Sequence, residues 1–265
     1  MLVVIRGAGD IATGIALRLW RSGCRIVMLE LPNPTAIRRT VCFSQAVLYG
    51  AWEVEGAEAR LASDPTHAIE LTRAGLIAVL TDPEGTAIRE LRPDAVVDAI
   101  LAKKNLGTKL SDAPAVIGVG PGFTAGQDCH AVVETMRGHD LGRVIRQGSA
   151  MPNTGIPGNI AGHSADRLLR APADGIFHQI LDIGAQVRAG DIAGEVNGIP
   201  MRCRIGGILR GILADGTEVY AGMKSGDVDP RGIADYCTRV SDKALAVGGG
   251  VLEALLSLTG IIKEN

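Results

Sequence analysis

The sequence predicts an α/β protein: a mostly parallel sheet with helices on its faces, then a small all-β module and a closing helix. Three observations predict it. An apolar strand runs straight into a glycine-rich turn at the start of the chain. Short apolar runs alternate with helical segments through the first half, and an internal repeat of glycine-punctuated strands fills much of the second.

Leu2-Val3-Val4-Ile5 is a continuous apolar run, as expected of a strand covered on both faces. Gly7, Gly9 and Ala12 then fit G-x-G-x-x-G/A. The first small residue permits the tight turn, the second lets backbone approach a pyrophosphate, and the third lets the next helix pack close to the strand. That helix is expected from about Asp10 to Arg21, with Ile11, Ile15, Leu17, Leu19 and Trp20 on its apolar side and its N-terminal N–H groups facing an anion. Asp10 is electrostatically awkward beside a pyrophosphate and suits a helix cap. Gly14 closes the same stretch and is counted with it. A second strand, Arg25 to Leu29, ends at Glu30, where a dinucleotide-binding fold usually keeps a ribose-binding carboxylate. The first domain is therefore expected to be Rossmann-like, spanning 1–167.

Further strands are expected at Ile77–Leu80, Ala95–Leu101 and Val116–Val119, with helices near Thr66–Ala74 and Thr86–Leu91. Val47 to Leu61 reads as an inserted antiparallel ribbon. A shift of 32 positions superimposes Gly175 on Gly207, Ile176 on Ile208, Ile180 on Ile212, Gly184 on Gly216 and Val187 on Val219. The halves carry turn glycines of an all-β unit, placed at 168–232. Ser241-Asp242 starts a helix in the last segment, 233–265, expected to return to the first domain. Gly248-Gly249-Gly250 inside it costs about 1 kcal/mol per residue against alanine; close packing, a break or a second phosphate-contacting turn are all open.

Composition narrows the classes. Hydrophobic residues make up 46% and aromatics 3%, giving an aliphatic core. A net charge of −2 leaves no basic footprint for nucleic acid. No apolar run approaches the ~18 residues of a membrane span, and the N-terminus reads as a core strand rather than a signal peptide. Five scattered cysteines, with no C-x-x-C, fit reduced thiols and a cytoplasmic protein.

Gly118 to Gly126 follows an expected strand, so Gly120 and Gly122 fall at the carboxyl edge where open α/β sheets bind ligands. Glu134 and Arg137 read as an i,i+3 pair on a helix, with His139 and Asp140 beside them as acid–base candidates. Cys129, His130, Glu134 and His139 have metal-ligand atoms but no established zinc spacing, so no metal site is expected. Arg38 and Arg39, after the second strand's acid, could grip a phosphate. Lys103, Lys104 and Asn105 fall at the ligand edge. Catalytic residues are not assigned.

Two resemblances add to this. The duplicated β unit resembles the flattened sandwich of biotinyl and lipoyl carrier domains. Its central connection, Val196 to Arg202, holds no lysine, Met223-Lys224 sits at the end of the second half, and Asp242-Lys243-Ala244 lies beyond the module. The module is thus expected to carry neither biotin nor lipoate. The motifs Arg6–Gly14, Pro34–Arg39, Val97–Lys103, Gly120–Gly126, Glu134–His139 and Pro152–Gly158 resemble the YqeB-type accessory proteins of selenium-dependent molybdenum hydroxylase systems, in order along the chain. Gly122 to Gly142 also resembles part of the XdhC-type maturation factors. The resemblance implies a maturation or insertion role, with a hydroxylase subunit or cofactor-synthesis protein as partner. The dinucleotide would be NAD(P) or molybdopterin cytosine dinucleotide, held by Gly7, Gly9, Asp10, Ala12, Gly14, Glu30, Arg38, Gly120 and Gly122. An NAD(P)-dependent oxidoreductase and a non-enzymatic nucleotide-sensing adaptor are the alternatives, and self-association is left open.

Overall fold

A computed structural model describes residues 1–262. The chain forms two compact units: Met1–Pro34, Phe43–Thr154 and Val240 onward in the first, and Thr35–Cys42 with Gly155–Arg239 in the second. This grouping is drawn otherwise than the 1–167, 168–232 and 233–265 division read from the sequence.

In the first unit, β1 (Leu2–Arg6) leads into α1 (Asp10–Arg21) and β2 (Arg25–Glu30). There follow α2 (Gln45–Tyr49), the hairpin β3 (Ala51–Val54) and β4 (Ala57–Leu61), α3 (Pro65–Arg73), β5 (Ile77–Thr81), α4 (Ala87–Leu91) and β6 (Ala95–Asp98). The sheet continues through β7 (Ala115–Val119), β9 (Ala131–Val133) and β10 (Val144–Ile145). The short strands β8 (Thr124–Ala125) and β11 (Gly148–Ser149) pair apart from it. A last helix, α5 (Asp242–Leu258), completes the unit. Strand order is β10-β9-β7-β6-β1-β2-β5-β4-β3. Interior neighbours run parallel, whereas β9–β10 at one edge and β3–β4 at the other run antiparallel. All of β1 is buried, consistent with its unbroken apolar run.

In the second unit, β12 (Leu168–Arg170), β13 (Gly175–Gln179), β14 (Gln186–Val187) and β15 (Ile192–Val196) are followed by β16 (Ile199–Arg202), β17 (Gly207–Ile212), β18 (Glu218–Val219) and β19 (Lys224–Asp229). They form two four-stranded antiparallel sheets, β12-β19-β17-β14 and β16-β15-β13-β18. The 32-residue shift that relates the sequences exchanges these sheets strand for strand. It also carries register onto register: Phe177↔Val196 becomes Leu209↔Val228, and Gln186↔Ile208 becomes Glu218↔Ile176. Phe177, Leu209, Val196 and Val228 share one core.

These sheets correct the expected fold class. The large sheet is mixed, and much of the remaining strand content lies in separate antiparallel sheets. The chain is therefore a mixed α/β protein rather than a Rossmann-like sheet with a biotinyl/lipoyl-like module. Local departures have identifiable causes. The expected ribbon begins later, because Val47–Tyr49 close α2; its turn is set by Glu55 and Gly56, both at positive φ (48° and 81°), as a tight hairpin requires. The strand expected at Ala95–Leu101 ends at Asp98, where Leu101 and Lys103 turn into left-handed conformations (φ 61° and 63°). Glu134–Asp140 is not helical: the chain leaves β9 and loops back to β10. Among the described residues, no helix is long and apolar enough to cross a membrane.

Candidate functional site

The site is built at the carboxyl ends of β1 and β2. Gly7 adopts φ +96°, and a side chain there would meet the Ala99 carbonyl oxygen at 3.1 Å, so only glycine lets the turn pass beneath the chain leaving β6. Gly9 occupies the N-cap position of α1, with no side chain capping the helix. An added Cβ at Gly9 would have no atom within 4 Å, so the space beside the helix's amino end is open at that position. Glu30 stands beside the turn. Its Oε2 accepts the Ala8 N–H at 2.8 Å and its Oε1 the Leu31 N–H at 2.7 Å. Burial raises its pKa, while those two N–H groups pull the other way. Glu30 thus fastens β2 to the glycine turn, with further lone pairs remaining on both oxygens.

Other residues anticipated from sequence serve the backbone. Ala12 is buried, as close packing of α1 on the strand requires. Gly14 faces α5: an added Cβ would lie 2.6 Å from the Ala244 Cβ. It is a helix-packing glycine. Gly120 donates its N–H to the Val133 carbonyl at 2.9 Å, and Gly122 lies against the Lys103–Lys104 backbone. Arg38 is buried in the second unit, where it donates to the carbonyls of Tyr236 and Arg239 at 2.9 and 2.8 Å. These bonds tie down that unit's own chain.

Sequence reasoning missed the buried charge that fixes this sheet edge. Arg6 donates to Asp98 at 3.3 Å, to Thr108 Oγ1 at 2.6 Å and to the Leu106 carbonyl at 3.2 Å, while Thr108 donates to Asp98 at 2.6 Å. Asn105 continues the network to Asp128, and Asp128 accepts the Thr124 N–H. A charged residue closing an apolar run was the available signal at both Arg6 and Asp98. Glu134 is buried, and its carboxylate accepts three N–H groups, from Thr135, Met136 and Met151. Arg137 instead forms a bidentate pair with Asp242 at 2.6 and 3.0 Å. The expected helical Glu134/Arg137 pair is thereby replaced by two separate partnerships. Burial pushes the Cys129 thiol up to about 11, so it is a packing residue at neutral pH. A cavity of 410 Å³ lined by Met1, Cys24, Leu252 and Leu256 lies where β1 and β2 begin, at the opposite ends of those strands from the glycine turn.

The class defined by these features is a mixed α/β protein with an open helix amino terminus beside a glycine turn and a duplicated antiparallel unit. No protein-family model matches the chain. The chain is 54% identical over 257 residues to YqeB of Escherichia coli K12, an uncharacterized protein; the match takes in 97% of this chain and 48% of that protein. This likeness supports a YqeB-family protein, of which the chain spans about half the length.

Among solved structures it is similar to a succinylglutamate desuccinylase/aspartoacylase from Rhodobacter sphaeroides, with TM-score 0.27, 17% identity and coverage of 86% of this chain and 84% of that one. An aspartoacylase family protein from Mesorhizobium loti gives TM-score 0.26 at 11% identity, with 86% and 83% covered. Scores so low carry no argument about chemistry. The XdhC-like expectation is withdrawn with the fold expectation corrected above.

Proposed function

We propose that this chain holds the pyrophosphate of a dinucleotide at the Gly7–Gly9 turn, as an accessory protein of a selenium-dependent molybdenum hydroxylase system. One observation carries the binding reading: the uncapped amino end of α1, preceded by a positive-φ glycine, opens onto space where a side chain at Gly9 would meet nothing. The accessory role rests on the ordered motifs shared with YqeB-type sequences. NAD(P) and molybdopterin cytosine dinucleotide both present a pyrophosphate, so the turn suits either. Gly7, Gly9 and the first amides of α1 would hold that group. Glu30 would meet a ribose hydroxyl through the lone pairs its backbone bonds leave unused. A hydroxylase subunit or cofactor-synthesis protein would receive the cofactor.

Calorimetric titration of the purified chain with NAD, NADP and molybdopterin cytosine dinucleotide tests this. Saturable binding of one of them is expected, together with its loss in Gly9→Val. Gly9 has φ −75° and nothing packed against it, so valine fills the phosphate space without a clash. Folded wild-type protein that binds none of the three overturns the proposal.

A further inference from the structure

Lys243 has no part in the roles described so far. It is the second residue of α5 and half-buried, and its amine makes no hydrogen bond or ion pair among the described residues. A largely covered ammonium without a partner is costly, and an unused one beside a ligand site calls for a reason. Burial holds its pKa below the ordinary lysine value, and the Arg137 charge pushes the same way; Asp10, Glu134 and Asp242 oppose them.

The helix packing explains how those groups meet. An added Cβ at Gly14 would lie on Ala244, and one at Gly248 would lie 3.0 Å from the Gly14 carbonyl oxygen and 3.2 Å from the Arg18 Cβ. Positions 14 to 18 of α1 therefore run alongside 244 to 248 of α5 in the same direction, and both helices start at the same sheet edge. Asp10 lies one turn before Gly14, and Lys243 immediately precedes Ala244. Of the acids around the amine, Asp242 is already engaged by Arg137 and Glu134 by three backbone N–H groups. Asp10 also has a partner, and it sits in the first turn of α1, where a negative charge opposes the binding of an anion.

We propose that Lys243 is a ligand-contacting residue of the site at the Gly7–Gly9 turn, where its ammonium meets the phosphate charge of the bound nucleotide. The inference rests on the binding reading above and adds to it a cation from the last helix, more than 200 residues from the glycine turn.

The test uses the full chain and two probes, NAD and inorganic pyrophosphate. Calorimetry is expected to show at least a tenfold weaker dissociation constant for both in Lys243→Gln, with most of the affinity restored in Lys243→Arg. Competitive acetylation followed by mass spectrometry reads the amine directly: pyrophosphate is expected to slow labelling of Lys243 while surface lysines are unaffected. Circular dichroism confirms that each variant is folded. Wild type that binds a probe, with Lys243→Gln binding it equally well, or with Lys243 labelling unchanged by pyrophosphate, overturns this inference and leaves the binding reading standing. Wild type that binds neither probe overturns this inference, and if it also fails to bind NADP and molybdopterin cytosine dinucleotide the binding reading falls with it.

Discussion

Replacing Gly250 by alanine would place a methyl where the Gly142 carbonyl oxygen already stands, and 2.9 Å from Val133 Cγ1. The first obstacle is backbone and the second belongs to a fully buried strand residue, so neither yields easily. In an unobstructed helix interior the same substitution stabilises by about 1 kcal/mol. Overpacking a filled site costs typically about 1–3 kcal/mol, and more where backbone must shift. The net expectation is a loss of about 1–2 kcal/mol. Gly249 is the internal control: an added Cβ there has no atom within 4 Å, so alanine should stabilise by about 0.5–1 kcal/mol. Two substitutions of the same kind, one residue apart, should move stability in opposite directions, separated by about 1.5–3 kcal/mol. Urea denaturation followed by far-ultraviolet circular dichroism would measure both midpoints. Equal shifts, or a stabilised Gly250→Ala, would refute the claim that the glycine run exists for close packing.

Two further outcomes follow from buried charge. Asp229 is fully buried and accepts from Arg210 at 2.9 Å and from Arg231 at 2.6 Å, so Asp229→Ala should cost about 3–5 kcal/mol. Burial would raise the Asp229 pKa, but the Arg231 bonds and both arginine charges hold it below the usual 3.8. Its stabilisation is therefore complete above that value and lost as pH falls through the lower folded value. Urea midpoints between pH 6 and 3 should drop less in the variant than in the wild type; equal drops would count against the linkage. Glu30→Gln offers one acceptor where two are used, leaving Ala8 or Leu31 N–H without its bond at about 1–3 kcal/mol. Amide exchange should accelerate at one of those positions, and unchanged rates at both would show that Glu30 does not fasten the turn.

Part of the site was legible because its determinants are local. The apolar run, small residues at fixed spacing and an acid ending the next run place β1, α1 and Glu30, and α1 spans the residues expected of it. Glu134 and Arg137 were misread as a helical pair because their partners are remote: Glu134 collects the N–H of Met151, and Arg137 reaches Asp242 across 105 positions. Arg38 was read beside Glu30 in sequence, yet its carbonyl partners lie about 200 positions on. Lys243 was considered only as part of a modification triplet.

The sequence alone determined the glycine turn, the strands it joins and the duplication of the β unit, because each is written in neighbouring residues or in a fixed shift. Only the tertiary structure decided what each copy of the repeat became. Ile208 and Ile212 are 5% and 0% exposed, while their counterparts Ile176 and Ile180 are 43% and 53% exposed. At Ile212 the segment Thr35–Cys42, which belongs to the same unit, supplies a covering chain: Ile37 accepts the Ile212 N–H at 2.8 Å and lies against Gly211. Apolar side chains are buried by whatever chain covers them, and the covering chain here comes from some 170 residues upstream, a separation that a repeat of 32 cannot encode.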